Sequence, residues 1–163
     1  MIRMFRIGLG VDSHRIASGG PMKIGGVEIP CELHLVGHSD ADVLLHAITD
    51  AVLGAAGLED IGQLFPDTAA ENRNRDSGEM LKLAWQAVQN AGFGLVNLDC
   101  VLRLERPKIS PYKAAIRRRV AELLSVDEAQ ISLKGKTGES IGDIGQGRLA
   151  EAHCVAMLSS VHK

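Results

Sequence analysis

The sequence predicts a mixed α/β (α+β) fold, a mixed four-stranded sheet with helices packed on one face. Stretches of two-residue alternation are interleaved with stretches of 3.6-residue apolar spacing, and single helices separate strands over part of the chain. At 163 residues there is room for one domain with a full core, so residues 1–163 are read as a single domain.

Taken in order, "RMFRIGLGVDSHRI" (3–16) alternates as an extended strand, and "MKIGGVEIP" (22–30) reads as a short hairpin around Gly25-Gly26. A helix is expected from Ser39 to about Ala56, with Ser39 as N-cap, Val43, Ile48, Val52 and Leu53 at helical spacing, and Gly57 as its end. Residues 57–75 form a loop long enough to suggest a functional role. Asp76 caps a second helix closed by Gly92, and "LVNLDCVLRLE" (95–105) is a strand. Ser110-Pro111 opens a third helix running to about Leu124. "QISLKGK" (130–136) and "LAEAHCVAMLSS" (149–160) are the last strands.

Composition excludes several classes. A net charge of −2 gives no general electrostatic grip on nucleic acid, and 3% aromatics supply few stacking platforms for it. No apolar run reaches the roughly 18 residues of a membrane span, and the N-terminal stretch lacks the apolar core of a signal peptide. Cys31, Cys100 and Cys154 are odd in number and show no CxxC spacing, which suits reduced thiols in the cytoplasm. Two phosphate-binding patterns break. "GLGVDS" has Ser13 where a dinucleotide fingerprint needs its third glycine, and "GKT" at 135–137 has Gln130 where a P-loop needs its first. The run Arg117-Arg118-Arg119 is expected on a solvated helix face.

One constellation holds. Asp12 and His14 are separated by one residue near a strand end, so their side chains leave the same side of the chain. On the predicted helix His46 lies one turn beyond Asp42, and Asp50 one turn further. One carboxylate and two imidazoles suit Zn2+, with a fourth position left open as in catalytic sites. Acidic neighbours are expected to orient an imidazole through its second nitrogen. On spacing alone the plainer reading stays open, namely polar strand-end residues and a hydrogen-bonded core histidine. Three further clusters favour phosphate chemistry. Glu59 to Gly62 with Phe65 to Thr68 bring acids and an aromatic to the long loop; Pro107 and Lys108 follow a strand; Lys136, Thr137 and Glu139 occupy a glycine-rich turn whose N–H groups suit phosphate oxygens. A metal, phosphate donors and a second acidic ligand are what phosphoryl chemistry uses.

The stretches "GVDSHR", "HSDADVLLHAITDAVLGAAGLEDIGQLFPDT", "PKI" and "KGKTGE" resemble the 2-C-methyl-D-erythritol 2,4-cyclodiphosphate synthase family, in order and spacing over nearly the whole chain. The resemblance implies a catalytic domain and a lyase of the non-mevalonate isoprenoid pathway. Its substrate would be the cytidine diphosphate-linked 4-diphosphocytidyl-2-C-methyl-D-erythritol 2-phosphate, closed to the 2,4-cyclodiphosphate with release of CMP. It also implies a homotrimer with active sites between subunits. By position, Asp12, His14 and His46 would bind Zn2+ or another divalent transition metal. His38 and Thr137 would stabilise the transition state, and Glu139 would hold Mg2+ or Mn2+ together with the substrate diphosphate. Substrate contacts are implied for Asp12, His14, His38 and Ser39, and for Asp60, Ile61, Gly62, Phe65, Pro66 and Asp67 around the methylerythritol phosphate. Leu104, Arg106, Pro107, Lys108 and Ile109 would hold the cytosine, with Lys136 and Gly138 beside Thr137 and Glu139. The segment "IGDIGQGRL" departs from the family pattern, with Asp143 in place of an aromatic and Gln146 in place of an arginine. Weak binding of isoprenoid diphosphates in the trimer's central cavity is the expectation. Two other readings are a zinc phosphohydrolase, which would release free phosphate, and a non-catalytic trimer with structural zinc, for which a fourth ligand is lacking.

Overall fold

Strand β1 (Phe5–Ser18) alternates as expected, and its two faces meet different surroundings. The computed structural model describes residues 4–66 and 68–161. Gly8 and Gly10 are buried against helix α1 (Val43–Ala56), whereas Ile7 and Leu9 on the other face are 70% and 64% exposed. The glycines are there because the helix comes close. A Cβ on Gly8 would lie 2.0 Å from the Ala51 carbonyl oxygen, and one on Gly10 would lie 1.8 Å from that of Ala47. The "GLG" that resembles a nucleotide loop is therefore a packing row. Strand β7 (Leu149–Ser160) lays Ala150, Ala152, Cys154 and Ala156 under the same helix, all fully buried.

The sheet has five strands in the order β4-β1-β7-β5-β6. Strand β5 (Phe93–Arg103) runs antiparallel to β7, and β6 (Ile131–Lys136) joins β5 in parallel at one edge. This corrects the expected four strands. The fifth is β4 (Leu33–Val36), paired with β1 from Arg15↔Val36 to Ser18↔Leu33. β7 takes one edge of β1, ending at Arg15↔Leu149, and β4 takes the opposite edge, where no other strand of the sheet pairs. Four residues are too short a pattern to announce a strand; the open edge of β1 makes them one.

Strands β2 (Met22–Ile24) and β3 (Val27–Ile29) form the expected hairpin as a separate two-stranded sheet. Gly25 and Gly26 both take positive φ (60° and 74°), as a two-residue hairpin turn of type I′ demands. Helix α1 begins later than expected, and its N-cap is Asp42 rather than Ser39. The Asp42 carboxylate accepts from Leu45 N (3.1 Å), Gly25 N (2.8 Å) and Gly26 N (2.7 Å), so it caps the helix and pins the hairpin turn at once. Gly57 closes α1 in the left-handed conformation, as expected.

The long loop carries a four-residue helix, α2 (Ile61–Leu64), capped by Asp60, and a 3₁₀ turn at Ala70–Asn72. Helix α3 (Ser77–Asn90) has Asp76 as its cap, as the sequence indicates. A 3₁₀ turn at Ser110–Tyr112 leads into α4 (Lys113–Leu124), and α5 (Gly142–Gly145) is a short turn before β7. The core lies between the sheet and α1, α3 and α4, with Leu44, Leu81, Leu98, Leu102, Ile116 and Leu124 at its centre. The arginine run is only partly a solvated face, because Arg117 Nε donates to Ile131 O (2.8 Å) and ties α4 to β6. No helix among the described residues is long and apolar enough to cross a membrane.

Candidate active site

The glycine row of β1 also places the site. With the α1 backbone drawn against Gly8 and Gly10, the next residues on that row, Asp12 and His14, meet the first turn of α1 at His46. Asp12 Oδ2 lies 2.8 Å from His14 Nε2 and 3.1 Å from His46 Nδ1, and the two ring nitrogens are 3.1 Å apart. Four ligands at about 2.0–2.1 Å in a tetrahedron around zinc stand roughly 3.3 Å from one another. The three atoms thus form one slightly contracted face of such a tetrahedron, and they fit a divalent transition metal. Among the described residues this is the only group of three or more His, Cys, Asp or Glu side chains that could hold an ion. Glu139 belongs to no such group.

The charges agree with that use. Burial pushes the Asp12 carboxyl up, but hydrogen bonds and charge from His14 and His46 outweigh it and hold its pKa at about 2. Burial disfavours protonated His14, yet the Asp12 carboxylate and the Val36 carbonyl raise its pKa above the usual value. Each imidazole is also fixed at its far nitrogen. His14 Nδ1 lies 3.2 Å from Val36 O, and His46 Nε2 lies 2.8 Å from Ser77 Oγ and 3.1 Å from Ser39 Oγ. The acidic neighbours expected in this role do not fill it. Asp42 is fully buried as a cap, and Asp50 accepts from Ile61 N (2.8 Å), which anchors α2 beneath the site.

A cavity of about 190 Å³ opens on the metal-ligand triangle. Its walls include Asp12, His14, His46, His38, Ser39, Ile61, Gly62 and Phe65, all singled out in the sequence. Asn72 and Met80 complete the lining. Phe65 is held by the Arg75 guanidinium 4.9 Å from its ring centre, and Asn72 Nδ2 donates to Pro66 O (2.9 Å). Asp60 serves as the cap of α2 and Pro66 as a backbone acceptor, and neither lines the cavity. Asp67 lies outside the described residues.

Leu104, Lys108, Ile109, Lys136 and Thr137 line a second cavity, of about 260 Å³, beyond the carboxyl ends of the parallel pair β5 and β6. Leu102, Glu105, Ser110 and Gly135 close it. Arg106, Pro107, Gly138 and Glu139 flank it without forming its wall. Glu105 Oε2 accepts from Gly138 N (2.9 Å) and fixes the turn that carries Thr137 and Glu139. The two cavities share no residue, and Thr137 is not in the wall of the one that opens on the triangle.

The sequence reading missed Asn72, Met80, Glu105 and the pair Asp40 and Ser77. Asp40 was visible as one of four polar residues in "HSDAD". Ser77, brought in by α3, left no signal beyond its place after a helix cap.

A mixed sheet that carries a carboxylate and two imidazoles at the mouth of a cavity is the arrangement of an enzyme with a metal-binding group. The YgbB family matches residues 5–159, and the chain belongs to that family. A 2-C-methyl-D-erythritol 2,4-cyclodiphosphate synthase from Rhodopirellula baltica is 48% identical over 155 residues, covering 95% of this chain and 93% of its own. A synthase of the same name from Gemmatimonas aurantiaca is 46% identical, covering 98% and 99%. Among solved structures, the Plasmodium falciparum IspF–CDP complex aligns with a TM-score of 0.85 at 34% identity, over 97% of each chain. The bifunctional IspDF of Campylobacter jejuni aligns at 0.94 with 38% identity over 98% of this chain, which spans 43% of that longer protein. The family indicated by the sequence motifs is the one these comparisons return.

Proposed function

We propose that this chain converts 4-diphosphocytidyl-2-C-methyl-D-erythritol 2-phosphate into 2-C-methyl-D-erythritol 2,4-cyclodiphosphate and CMP, a step of the non-mevalonate isoprenoid pathway. The observation that carries the reading is the Asp12, His14 and His46 triangle, facing a cavity that also holds His38, Ser39 and Phe65.

In the reaction an oxygen of the 2-phosphate bonds to the β-phosphorus while the bond from that phosphorus to the CMP oxygen breaks. The phosphate is already an anionic nucleophile, so no strong base is needed. The difficulty is folding two anionic groups together, which makes positioning and charge neutralisation the main tasks. A divalent ion at the triangle, Zn2+ or another transition metal, supplies Lewis acidity toward a diphosphate oxygen when bound. His38 and Ser39 donate hydrogen bonds from the cavity wall. Thr137 and Lys136 would face the diphosphate from the second cavity, and Glu139 would be the residue to hold Mg2+ or Mn2+ there, which would neutralise diphosphate charge. The cytosine is received by the Leu104 to Ile109 segment, largely through backbone groups.

The reading includes a homotrimer, with each site assembled between neighbouring subunits. Phe5, Ile7, Leu9 and Val11 of β1 and Val155 of β7 form an exposed apolar patch on the sheet face away from the helices. The two unshared cavities then meet across the interface. Cys31, Cys100 and Cys154 are free thiols, in keeping with a cytoplasmic enzyme. Asp143 forms an ion pair with Arg148 (2.8 Å) beside Arg15, which supports weak binding of isoprenoid diphosphates at that surface.

The test is incubation with the cytidyl substrate and Mg2+, followed by ³¹P NMR. The cyclic diphosphate and CMP should appear together. Free phosphate in place of the cyclic product would identify a phosphohydrolase.

A further inference from the structure

His46 is held from behind by a line of side chains that leads away from the cavity. Its Nε2 is 2.8 Å from Ser77 Oγ, and Ser77, the first residue of α3, is fully buried. The Ser77 hydroxyl donates to Asp40 Oδ1, and Ser77 N donates to Asp40 Oδ2 (3.1 Å). Asp40 is fixed in turn by Lys23 Nζ at 2.7 Å, and the same ammonium reaches Asp76 at 2.6 Å.

The order of donors follows from the two ends. Lys23 only donates, and the Asp40 carboxylate only accepts. A hydroxyl whose proton goes to a carboxylate has only lone pairs left for its other neighbour. Ser77 therefore accepts from His46, which puts the ring proton on Nε2. Nδ1, the atom facing Asp12 and His14, is left with its lone pair free for a metal. Ser39 Oγ is the second neighbour of Nε2, at 3.1 Å, and with the ring proton there it accepts as well. It also accepts from Ala41 N (3.3 Å) and lines the cavity, so its hydroxyl proton is left for a bound ligand.

We propose that Ser77 and Asp40 are positioning residues of the metal centre. Asp40 orients the Ser77 hydroxyl, and Ser77 selects the tautomer and ring plane of His46 that bind metal. The inference rests on reading Asp12, His14 and His46 as metal ligands.

The experiment is cobalt(II) titration of the metal-free full-length protein, with zinc competition and circular dichroism to check folding. Wild type is expected to bind cobalt with a tetrahedral d–d absorption band. Ser77→Ala should bind it about 10–100-fold more weakly, the usual effect of removing an outer hydrogen-bond partner, and with an altered band. Asp40→Asn should also weaken binding. In the double variant Asp40→Asn should add nothing to the loss from Ser77→Ala, because it acts through the missing hydroxyl. Ser77→Thr, which keeps the hydroxyl, should retain wild-type affinity. Wild-type cobalt affinity in Ser77→Ala, or additive losses in the double variant, would overturn the proposal. Should Ser77→Ala fail to fold, wild-type affinity in folded Asp40→Asn overturns it instead. A wild-type protein that binds neither cobalt nor zinc refutes the metal reading itself, a result distinct from any difference among variants.

Discussion

The metal cavity and the cavity at the strand ends differ in what their walls are made of. The first is built from side chains that fix one another: Asp12 by two imidazoles, His14 by a carbonyl of β4, His46 by the buried Ser77. The second sits where the parallel strands β5 and β6 run out, and its form follows the backbone course from Leu104 to Ser110 and the turn after Lys136. Chemistry that needs a particular atom is placed by interlocked side chains. Under the proposed function the second cavity receives a flat base, for which a slot with backbone donors and acceptors suffices.

The comparison breaks most sharply at the metal ligands. His46→Ala and Asp12→Asn should each lose bound metal and activity together. The loss in turnover should exceed the about 10²–10³-fold typical of removing one hydrogen-bond donor from a charge-stabilising site. Metal content after gel filtration and CMP release check it, and retained turnover in both variants would sink the ligand assignment. Gly10→Ala should come next. Its Cβ would lie 1.8 Å from a helix carbonyl rather than a yielding side chain, so α1 must move off β1. The expected cost is about 3 kcal/mol in urea unfolding, with weaker metal binding because His46 moves with the helix.

Acidification separates the two ligand types. His14 binds metal only when neutral, and its pKa in the metal-free protein is raised by Asp12, so protons compete from a higher pH than at an ordinary histidine. Protonation of His14 alone should lower affinity about tenfold per pH unit below that raised pKa. Asp12, ionised down to about pH 2, should add no loss over the same range. A zinc-binding curve whose acid limb begins below the normal histidine range would contradict this. The mildest effect belongs to the second cavity. In Gly135→Ala the new Cβ would meet the flexible end of Ile109 at 2.9 Å, and a side chain can shift. KM should rise by no more than about tenfold, with kcat and metal content unchanged.

What the amino-acid sequence makes legible follows the same division. Asp12 and His14 were legible because strand alternation fixes which side they share, and His46 because helical spacing puts it one turn in. The long strands, the hairpin and the Asp76 cap were legible for similar local reasons. "HSDAD" was harder. Ser39, Asp40 and Asp42 are all good caps by type, and the choice of Asp42 is made by the N–H groups of Gly25 and Gly26, far away in sequence. Asp40 and Ser77 meet only because α3 packs beside α1, a contact that no local pattern encodes. Strand β4 was invisible for the same reason, since the open edge of a distant partner makes it a strand.

That the two cavities share no residue has a genetic consequence. In the proposed trimer a chain damaged at His46 still carries a sound second cavity, and a chain damaged at Thr137 still carries a sound Asp12, His14 and His46 triangle. Co-expressed in one cell, alleles encoding His46→Ala and Thr137→Ala, each inactive alone, should form mixed rings in which some junctions join two intact halves. Two lethal alleles would then complement each other, and growth of a strain dependent on this enzyme would report it.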